Sequence, residues 1–303
     1  MIFFYICLLL LVGFLVYIFV IEPSRLLETH YFIRKDKKKV LDITSAADLY
    51  QGKTSIVLAQ ISDLHFSRWY PPRKLNRVIK QLLVTKPDMI IFTGDLISNY
   101  ARWPQRNTKK LIEKLKKLHA PLGKFAILGN HDYAHDGQYF VREVLKKADF
   151  QLLVNEQAYF TNDDVSLTIV GLDDSLKGRP SYKYQQTFAD WHILLTHEPD
   201  SVEDIPHIDR FDLVLAGHSH GGQIRLPRYR PTHKGSTKFT HGLYLLAEKT
   251  LLSVNTGIGM TAIPARLGVP PTVTYYHLEK EEKAAVLVSK KQGSKPRKKS
   301  ERV

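Results

Sequence analysis

The chain has 303 residues, 44% of them hydrophobic, enough for one large α/β domain with a full core. Its single cysteine, Cys7, excludes an intramolecular disulfide and fits a reducing compartment. The net charge of +14 sits largely at the ends, with +3 over residues 22–39, +6 over 290–303 and +5 over the 250 residues between. A nucleic-acid reader would carry its basic surface on the folded domain, so no nucleic-acid partner is expected.

Residues 1–21 contain no charged side chain and are mostly Leu, Ile, Phe, Val and Tyr. At ~1.5 Å per residue such a helix covers about 30 Å, a hydrocarbon core. A basic start and a small-residue cleavage site are both missing, so an uncleaved anchor is expected rather than a signal peptide. Arg25, Arg34, Lys35, Lys37, Lys38 and Lys39 follow the span. By the positive-inside rule the chain is a single-pass protein of the inner (cytoplasmic) membrane, with its downstream domain facing the cytoplasm. Residues 22–54 read as a basic juxtamembrane linker and lead-in, 55–289 as the folded domain, and 290–303 as a basic, disordered tail. An anionic membrane surface is the expected partner of the basic segments, although a solvated tail explains 290–303 equally well.

Along the domain, 55–61 reads as a buried strand and 71–85 as a helix with Leu75, Val78, Ile79, Leu82 and Leu83 on its apolar face. A second strand at 89–93, a helix at 109–119 and a third strand at 124–128 complete a β-α-β-α-β series, which implies parallel strands. After a helix at 139–148, strand-like runs at 152–154, 165–171, 193–196, 213–216, 251–254, 273–278 and 285–288 follow with little helix between them. Two sheets packed face to face, with helices outside, would house this many strands.

Five blocks fall where these apolar runs stop: Asp63-Leu64-His65, Gly94-Asp95, Gly129-Asn130-His131-Asp132, Thr196-His197 and Gly217-His218-Ser219-His220. Singly each is weak, since Asp-x-His arises by chance and Gly-Asn-His-Asp suits a turn. Together, in order and at strand ends, they deliver carboxylate, imidazole and amide oxygen to one sheet edge. Seven such donors are too many for one ion and suit two divalent cations, Mn first, with Fe, Zn or Mg as alternatives. One metal is expected on Asp63, His65, Asp95 and His220, the other on Asp95, Asn130, His197 and His218, with Asp95 bridging. Such a pair would acidify a water for in-line attack on phosphorus and neutralise transition-state oxygens. His131, left over from the metal count, is the candidate to stabilise or protonate the leaving oxygen, and Asp132 the candidate to orient it. Gly94, Gly129 and Gly217 permit sharp turns or close approach. The other eight histidines read as surface or structural.

These blocks resemble the calcineurin-like metallophosphoesterase superfamily over about residues 55–280. Ser62-Asp63-Leu64-His65, Gly171-Leu172-Asp173-Asp174, His218-Ser219-His220-Gly221-Gly222-Gln223-Ile224 and Gly257-Ile258-Gly259, with Arg266 and Pro270-Pro271, resemble its bacterial membrane-associated YaeI/YkuE/LpxG-like branch. The resemblance implies a four-layer α/β/β/α sandwich of two mixed sheets flanked by helices, and the same metal ligands. Thr272 departs from the Glu that many relatives carry after the paired prolines, and no twin-arginine motif is present.

The resemblance also implies a phosphoester or pyrophosphate substrate. Loops 97–110, 175–187 and 225–240 are expected to wall the site. Arg225, Arg228 and Arg230, and Arg266, are candidates for additional phosphate oxygens, against a reading as solvated loop charge. Tyr100, Trp103, Tyr182 and Tyr184 read as packing before they read as contacts to acyl chains or a nucleobase. A tether to the cytoplasmic leaflet favours a lipid-linked diphosphate, UDP-2,3-diacylglucosamine as in LpxG-type enzymes of lipid A synthesis, cleaved to UMP and 2,3-diacylglucosamine 1-phosphate. The alternatives are a broader phosphodiesterase acting on other phospholipid or nucleotide esters, and a metal-binding scaffold that no longer hydrolyses. Oligomeric state is not legible in the chain.

Overall fold

The computed structural model describes residues 1–34, 40–42, 56–161, 165–246, 250–261 and 263–279. The basic run at 35–39, the strand expected at 285–288 and the tail 290–303 lie outside the described residues. Helix α1 (Ile2–Val16) continues through a π turn (Tyr17–Ile21) and a 3-10 turn (Glu22–Ser24). The resulting 23-residue rod is long and apolar enough to cross a membrane, and its apolar side chains are exposed.

The first sheet has seven strands in the order β2 (Val40–Asp42), β1 (Leu27–Arg34), β13 (Thr272–Glu279), β3 (Ile56–Ile61), β4 (Met89–Phe92), β5 (Lys124–Ala126) and β6 (Gln151–Leu152). From β3 to β6 the pairing is parallel, while β13 runs antiparallel to β3 and parallel to β1. The stretch read as lead-in thus contributes β1 to the sheet, with Leu27 beside Thr272. The second sheet has six strands in the order β11 (Gly242–Leu245), β12 (Leu251–Val254), β10 (Leu213–Ala216), β9 (Trp191–Leu195), β8 (Ser166–Gly171) and β7 (Glu156–Thr161). It is parallel from β12 to β8 and antiparallel at both edges. Both sheets are mixed, as expected.

Alternation along each strand sorts the core into layers. Ile56, Leu58, Met89, Ile91, Phe125 and Ile127 meet Trp191, Ile193, Leu195, Leu213 and Leu215 between the sheets. Ala59, Ile61, Ile90, Phe92, Ala126 and Leu128 face the other way, against helices α2 (Asn76–Thr85), α3 (Thr108–Lys116) and α4 (Gly137–Lys147). Each helix presents a short apolar stripe: Val78, Ile79 and Leu82 on α2, Leu111 and Leu115 on α3, Val141, Val144 and Leu145 on α4. Leu83, expected on the apolar face of α2, is exposed instead. Helix α2 stops at Lys86 in a left-handed conformation, because the following Pro87 disfavours the α region. Over the far face of the second sheet, the 3-10 turns Pro199–Glu203 and Ile208–Arg210 pack Val202, Ile205 and Phe211 onto Val170, Leu194, Val214 and Leu252.

Polar ties cross between the sheets near their carboxyl ends. The Tyr276 hydroxyl lies 2.5 Å from Gln60 Oε1 and 2.7 Å from Ser253 Oγ, and the Gln60 amide donates to Thr93 Oγ1 and to the Ala216 carbonyl. Every member is buried, so each unpaired atom would carry a full desolvation cost. Tyr276→Phe is expected to lower unfolding free energy by ~1–3 kcal/mol, read as a lower urea midpoint at unchanged slope; an unchanged midpoint would show that the tie contributes nothing.

Candidate metal centre

The carboxyl ends of β3, β4 and β5 in one sheet, and of β9 and β10 in the other, converge on one place. Asp63 and His65 leave β3, Asp95 leaves β4, and Asn130 and His131 follow β5, while His197 leaves β9 and His218 and His220 leave β10. Asp63, His65 and His220 bring one ligand atom each within 4.8 Å of one another, and so do Asp95, His197 and His218. Asp95 Oδ2 lies 3.4 Å from His65 Nε2 and 3.2 Å from His197 Nε2, so this carboxylate stands between the two groups. Asn130 Oδ1 is 3.0 Å from His218 Nδ1, which adds the amide oxygen to the second group. All seven sequence-expected donors therefore meet at one place, with Asp95 between the two groups.

The backbone is bent sharply to achieve this. Asp63, His65, Asp95, His218 and His220 all have φ between 44° and 65°. A non-glycine residue there costs of order 1–3 kcal/mol and persists only where surroundings over-determine it. The neighbouring glycines make room. A Cβ on Gly129 would strike the Asp95 carboxylate and the His197 ring, and one on Gly217 would strike Ser62 Oγ and Asp63.

Hydrogen bonds fix the donors. Asp63 accepts from Ser62 Oγ at 2.5 Å and from the His218 N–H at 3.0 Å, and Asp95 accepts from the His131 N–H at 2.8 Å. His197 Nδ1 is 2.6 Å from the Thr93 carbonyl and His218 Nε2 is 2.8 Å from the Lys234 carbonyl. A carbonyl only accepts, so these contacts assign the proton to that nitrogen and leave His197 Nε2 and His218 Nδ1 as lone pairs facing the cavity. His197 Nε2 is buried and makes no hydrogen bond. That is the condition of a nitrogen whose partner is a cation.

Electrostatics agree. Burial opposes the charge on Asp63, but the His220, His65 and His197 imidazoles outweigh it and hold the carboxyl below the usual range. Asp95 is likewise held low, chiefly by His197 and His131 against its burial. Burial lowers His218 and His220 from their ordinary value. His197 moves the other way: burial alone would lower it, but the Asp95 carboxylate raises it well above normal. A proton there takes the place of positive charge the site is built to hold. Two carboxylates, four imidazoles and an amide oxygen fit a pair of divalent ions.

Two neighbours behave differently from their sequence reading. Asp132 does not orient His131. Its carboxylate is consumed by four backbone N–H groups, those of Asp95, Leu96, Ile97 and Gly129 at 2.8–3.3 Å, and thereby holds the turn that carries Asp95. The His131 imidazole is held instead by the Ser98 carbonyl, 2.9 Å from Nδ1, with its ring edge-on to His65. Arg266 does not reach for phosphate. It is fully buried, and its guanidinium donates to the carbonyls of Thr256, Gly257, Gly259 and Val269. Burial pulls its pKa down to about 10. Arg225 pairs with His241 at 2.7 Å, and Arg228 is exposed on the same loop. Tyr100 stacks on Phe140, Trp103 meets the same ring at a tilt, and Tyr182 and Tyr184 pack on the second sheet, so all four serve packing.

Sequence reasoning passed over His233, which packs edge-on against His218 and whose Nε2 is 2.9 Å from the His218 carbonyl. It also passed over Glu198 and Asp174, buried beside His197. Glu198 follows a ligand directly and Asp174 closes an Asp-Asp pair at a strand end, the same signal that marked the ligands. Asp132→Asn places an amide NH₂ against those backbone donors. It is expected to cost about 3 kcal/mol and to lower metal stoichiometry measured by plasma mass spectrometry; an unchanged urea midpoint would refute the turn-holding role.

The calcineurin-like phosphoesterase family matches residues 56–222, which include all seven donors. The chain is 36% identical over 237 residues to the metallophosphoesterase YkuE of Bacillus subtilis, covering 75% of this chain and 80% of that one. It is 31% identical over 265 residues to a metallophosphoesterase of Aquifex aeolicus, covering 82% and 92%. It is 28% identical over 268 residues to the UDP-2,3-diacylglucosamine pyrophosphatase LpxG of Chlamydia trachomatis, covering 67% and 77%. With its metal-binding donors assembled in two sets around Asp95, the chain belongs to the calcineurin-like metallophosphoesterases, in the branch that holds YkuE and LpxG, and is a metal-dependent phosphoester hydrolase.

Proposed function

We propose that the chain is a membrane-anchored diphosphatase that cleaves UDP-2,3-diacylglucosamine to UMP and 2,3-diacylglucosamine 1-phosphate on the cytoplasmic face of the inner membrane. The observation that carries this reading is the union of a dinuclear donor set with an exposed 23-residue apolar helix in one chain. Similarity to LpxG, a protein named for that reaction, supports the same substrate. A tethered enzyme gains effective concentration for a lipid substrate and nothing for a soluble one.

Two divalent ions, Mn first, would be held by Asp63, His65, Asp95 and His220 and by Asp95, Asn130, His197 and His218, and would supply Lewis acidity and an acidified water. The protein's own groups do the rest. Asp95, fixed by the His131 N–H, keeps the two donor sets in register. The Ser98 carbonyl accepts a hydrogen bond from His131 Nδ1–H, so Nε2 is the nitrogen that, in the imidazolium form, carries a second proton to the departing oxygen. Asp63 is held by two fixed donors, so no reorganisation is needed when charge develops.

A second reading, a broader phosphodiesterase acting on other phospholipid or nucleotide esters, is favoured by one observation. Of the arginines expected at a second phosphate, Arg266 is buried among carbonyls and Arg225 is engaged by His241. Arg228 and Arg230, both exposed, remain for that role.

The discriminating assay offers the full chain, in micelles with Mn²⁺, both UDP-2,3-diacylglucosamine and bis(p-nitrophenyl) phosphate. UMP release is expected; turnover of the soluble diester alone would establish the broader enzyme. His131→Ala should lower kcat by ~10²–10⁴ with metal content unchanged. Asn130→Ala should lose metal from one set, and full activity at full metal content would refute its role.

A further inference from the structure

The anchor helix is bonded to the catalytic domain at a depth that has consequences for the surface around it. The Arg266 N–H donates to the Ile18 carbonyl at 2.9 Å, and Arg77 Nη1 donates to the Ser24 carbonyl at 2.9 Å. Ile18 lies three residues before the end of the π turn at Ile21, which is about 4.5 Å of helix rise. If the apolar rod spans a bilayer, the loop carrying Arg266 must reach the headgroup layer, because it is bonded to a residue inside the span.

Exposed side chains beside these two contacts suit that position. Trp69 is 57% exposed and Ile263 is 55% exposed, both large and apolar, in the two segments that carry Arg77 and Arg266. Arg68 lies over the Trp69 ring at 5.7 Å, and Lys74 over Tyr70 at 5.9 Å. Arg25, Arg68, Arg73 and Arg77 are exposed and Lys74 is half-buried. Arg25 lies 3.5 Å from Glu22, but among the described residues Arg68, Arg73, Lys74 and Arg77 form no salt bridge. Burial first, then the nearby charges of Arg77 and Arg73, lower the Lys74 ammonium from its ordinary value. Unopposed like charge around an exposed tryptophan is the composition of a surface that meets anionic headgroups.

We infer that the face formed by residues 66–77, 261 and 263–267 lies on the bilayer, with Trp69 and Ile263 in the headgroup layer and Arg68, Arg73, Lys74 and Arg77 against anionic lipid. This rests on the anchored reading proposed above and deepens it. The segment begins one residue after the ligand His65, and it is tied to the ligand turn by the His65 N–H to the Asp95 carbonyl and the Phe66 N–H to the Leu96 carbonyl. A headgroup diphosphate drawn to this patch is therefore delivered beside the metal centre without leaving the membrane.

The chain has three tryptophans, of which Trp103 and Trp191 are 5% and 1% exposed. Quenching of fluorescence by brominated lipid therefore reads Trp69. The full chain is placed in discs of brominated phosphatidylcholine with and without phosphatidylglycerol. Strong quenching is expected, greater with the anionic lipid and abolished in Trp69→Phe. The triple variant Arg68→Gln/Arg73→Gln/Lys74→Gln should weaken anionic docking by about a hundredfold, from ~1 kcal/mol per cation, and leave hydrolysis of bis(p-nitrophenyl) phosphate unchanged. Flotation with vesicles reads the anchor separately. A chain that floats yet shows no Trp69 quenching, or equal quenching with neutral and anionic lipid, overturns this inference alone. A chain that does not float overturns the anchor and this inference with it.

Discussion

Asp63 and Asp95 are both buried almost completely, within reach of four imidazoles, and both must stay ionised. A buried carboxylate survives only if donors and positive charge replace the water it has lost. Asp63 is served by a relay that starts deep in the core. Tyr276 meets Gln60, the Gln60 amide donates to Thr93 Oγ1, Thr93 donates to Ser62 Oγ, and Ser62 donates to Asp63. The metal ligand is thus oriented by groups that belong to the packing of the two sheets. The polar chain and the hydrophobic layers cannot be separated, because either one alone would leave the other's atoms unpaired or misplaced.

That dependence explains the architecture. The first sheet provides Asp63, His65, Asp95 and Asn130, and the second provides His197, His218 and His220. Each donor set mixes the two: Asp63 and His65 with His220, Asp95 and Asn130 with His197 and His218. Ions bound there would brace one sheet against the other, so metal affinity and fold stability are linked. The left-handed backbone at Asp63, His65, Asp95, His218 and His220 is the local cost of bringing both sheet edges to one point.

What could be read from sequence follows from how each element is buried. Strands β3, β4, β9 and β10 are covered on both faces, so they appear as continuous apolar runs and their ends mark the ligands. Strand β7, Glu-Gln-Ala-Tyr-Phe-Thr at a sheet edge, is half-exposed throughout, and β11 has only four residues. Neither carries enough hydrophobic pattern to stand out. β1 was concealed by its basic surroundings. At the site, residue type and spacing were sufficient to name donors that meet, but not the contacts of their neighbours. Asp132 and His131 are adjacent in sequence, yet their side chains serve different partners: one caps the Asp95 turn and the other meets the Ser98 carbonyl. No sequence rule distinguishes an arginine buried among carbonyls from one facing phosphate, and Arg266 is the former.

Arg266 then joins features that sequence keeps far apart. Its guanidinium gathers the carbonyls of Thr256, Gly257, Gly259 and Val269, and its Nη2 lies 3.5 Å from His220 Nδ1. Gly257 and Gly259 in turn pack against Asp63 and Leu64, where a Cβ on either would collide. The same residue's backbone N–H holds Ile18 of the helix. Lysine could not substitute, since a point charge with three donors cannot satisfy this many carbonyls around a planar fork. One buried cation therefore closes the loop behind a metal ligand and fixes where the apolar rod leaves the domain. Through its side chain and its own amide Arg266 thus links the loop behind His220 to the apolar rod, beside the Arg77 bond to the Ser24 carbonyl.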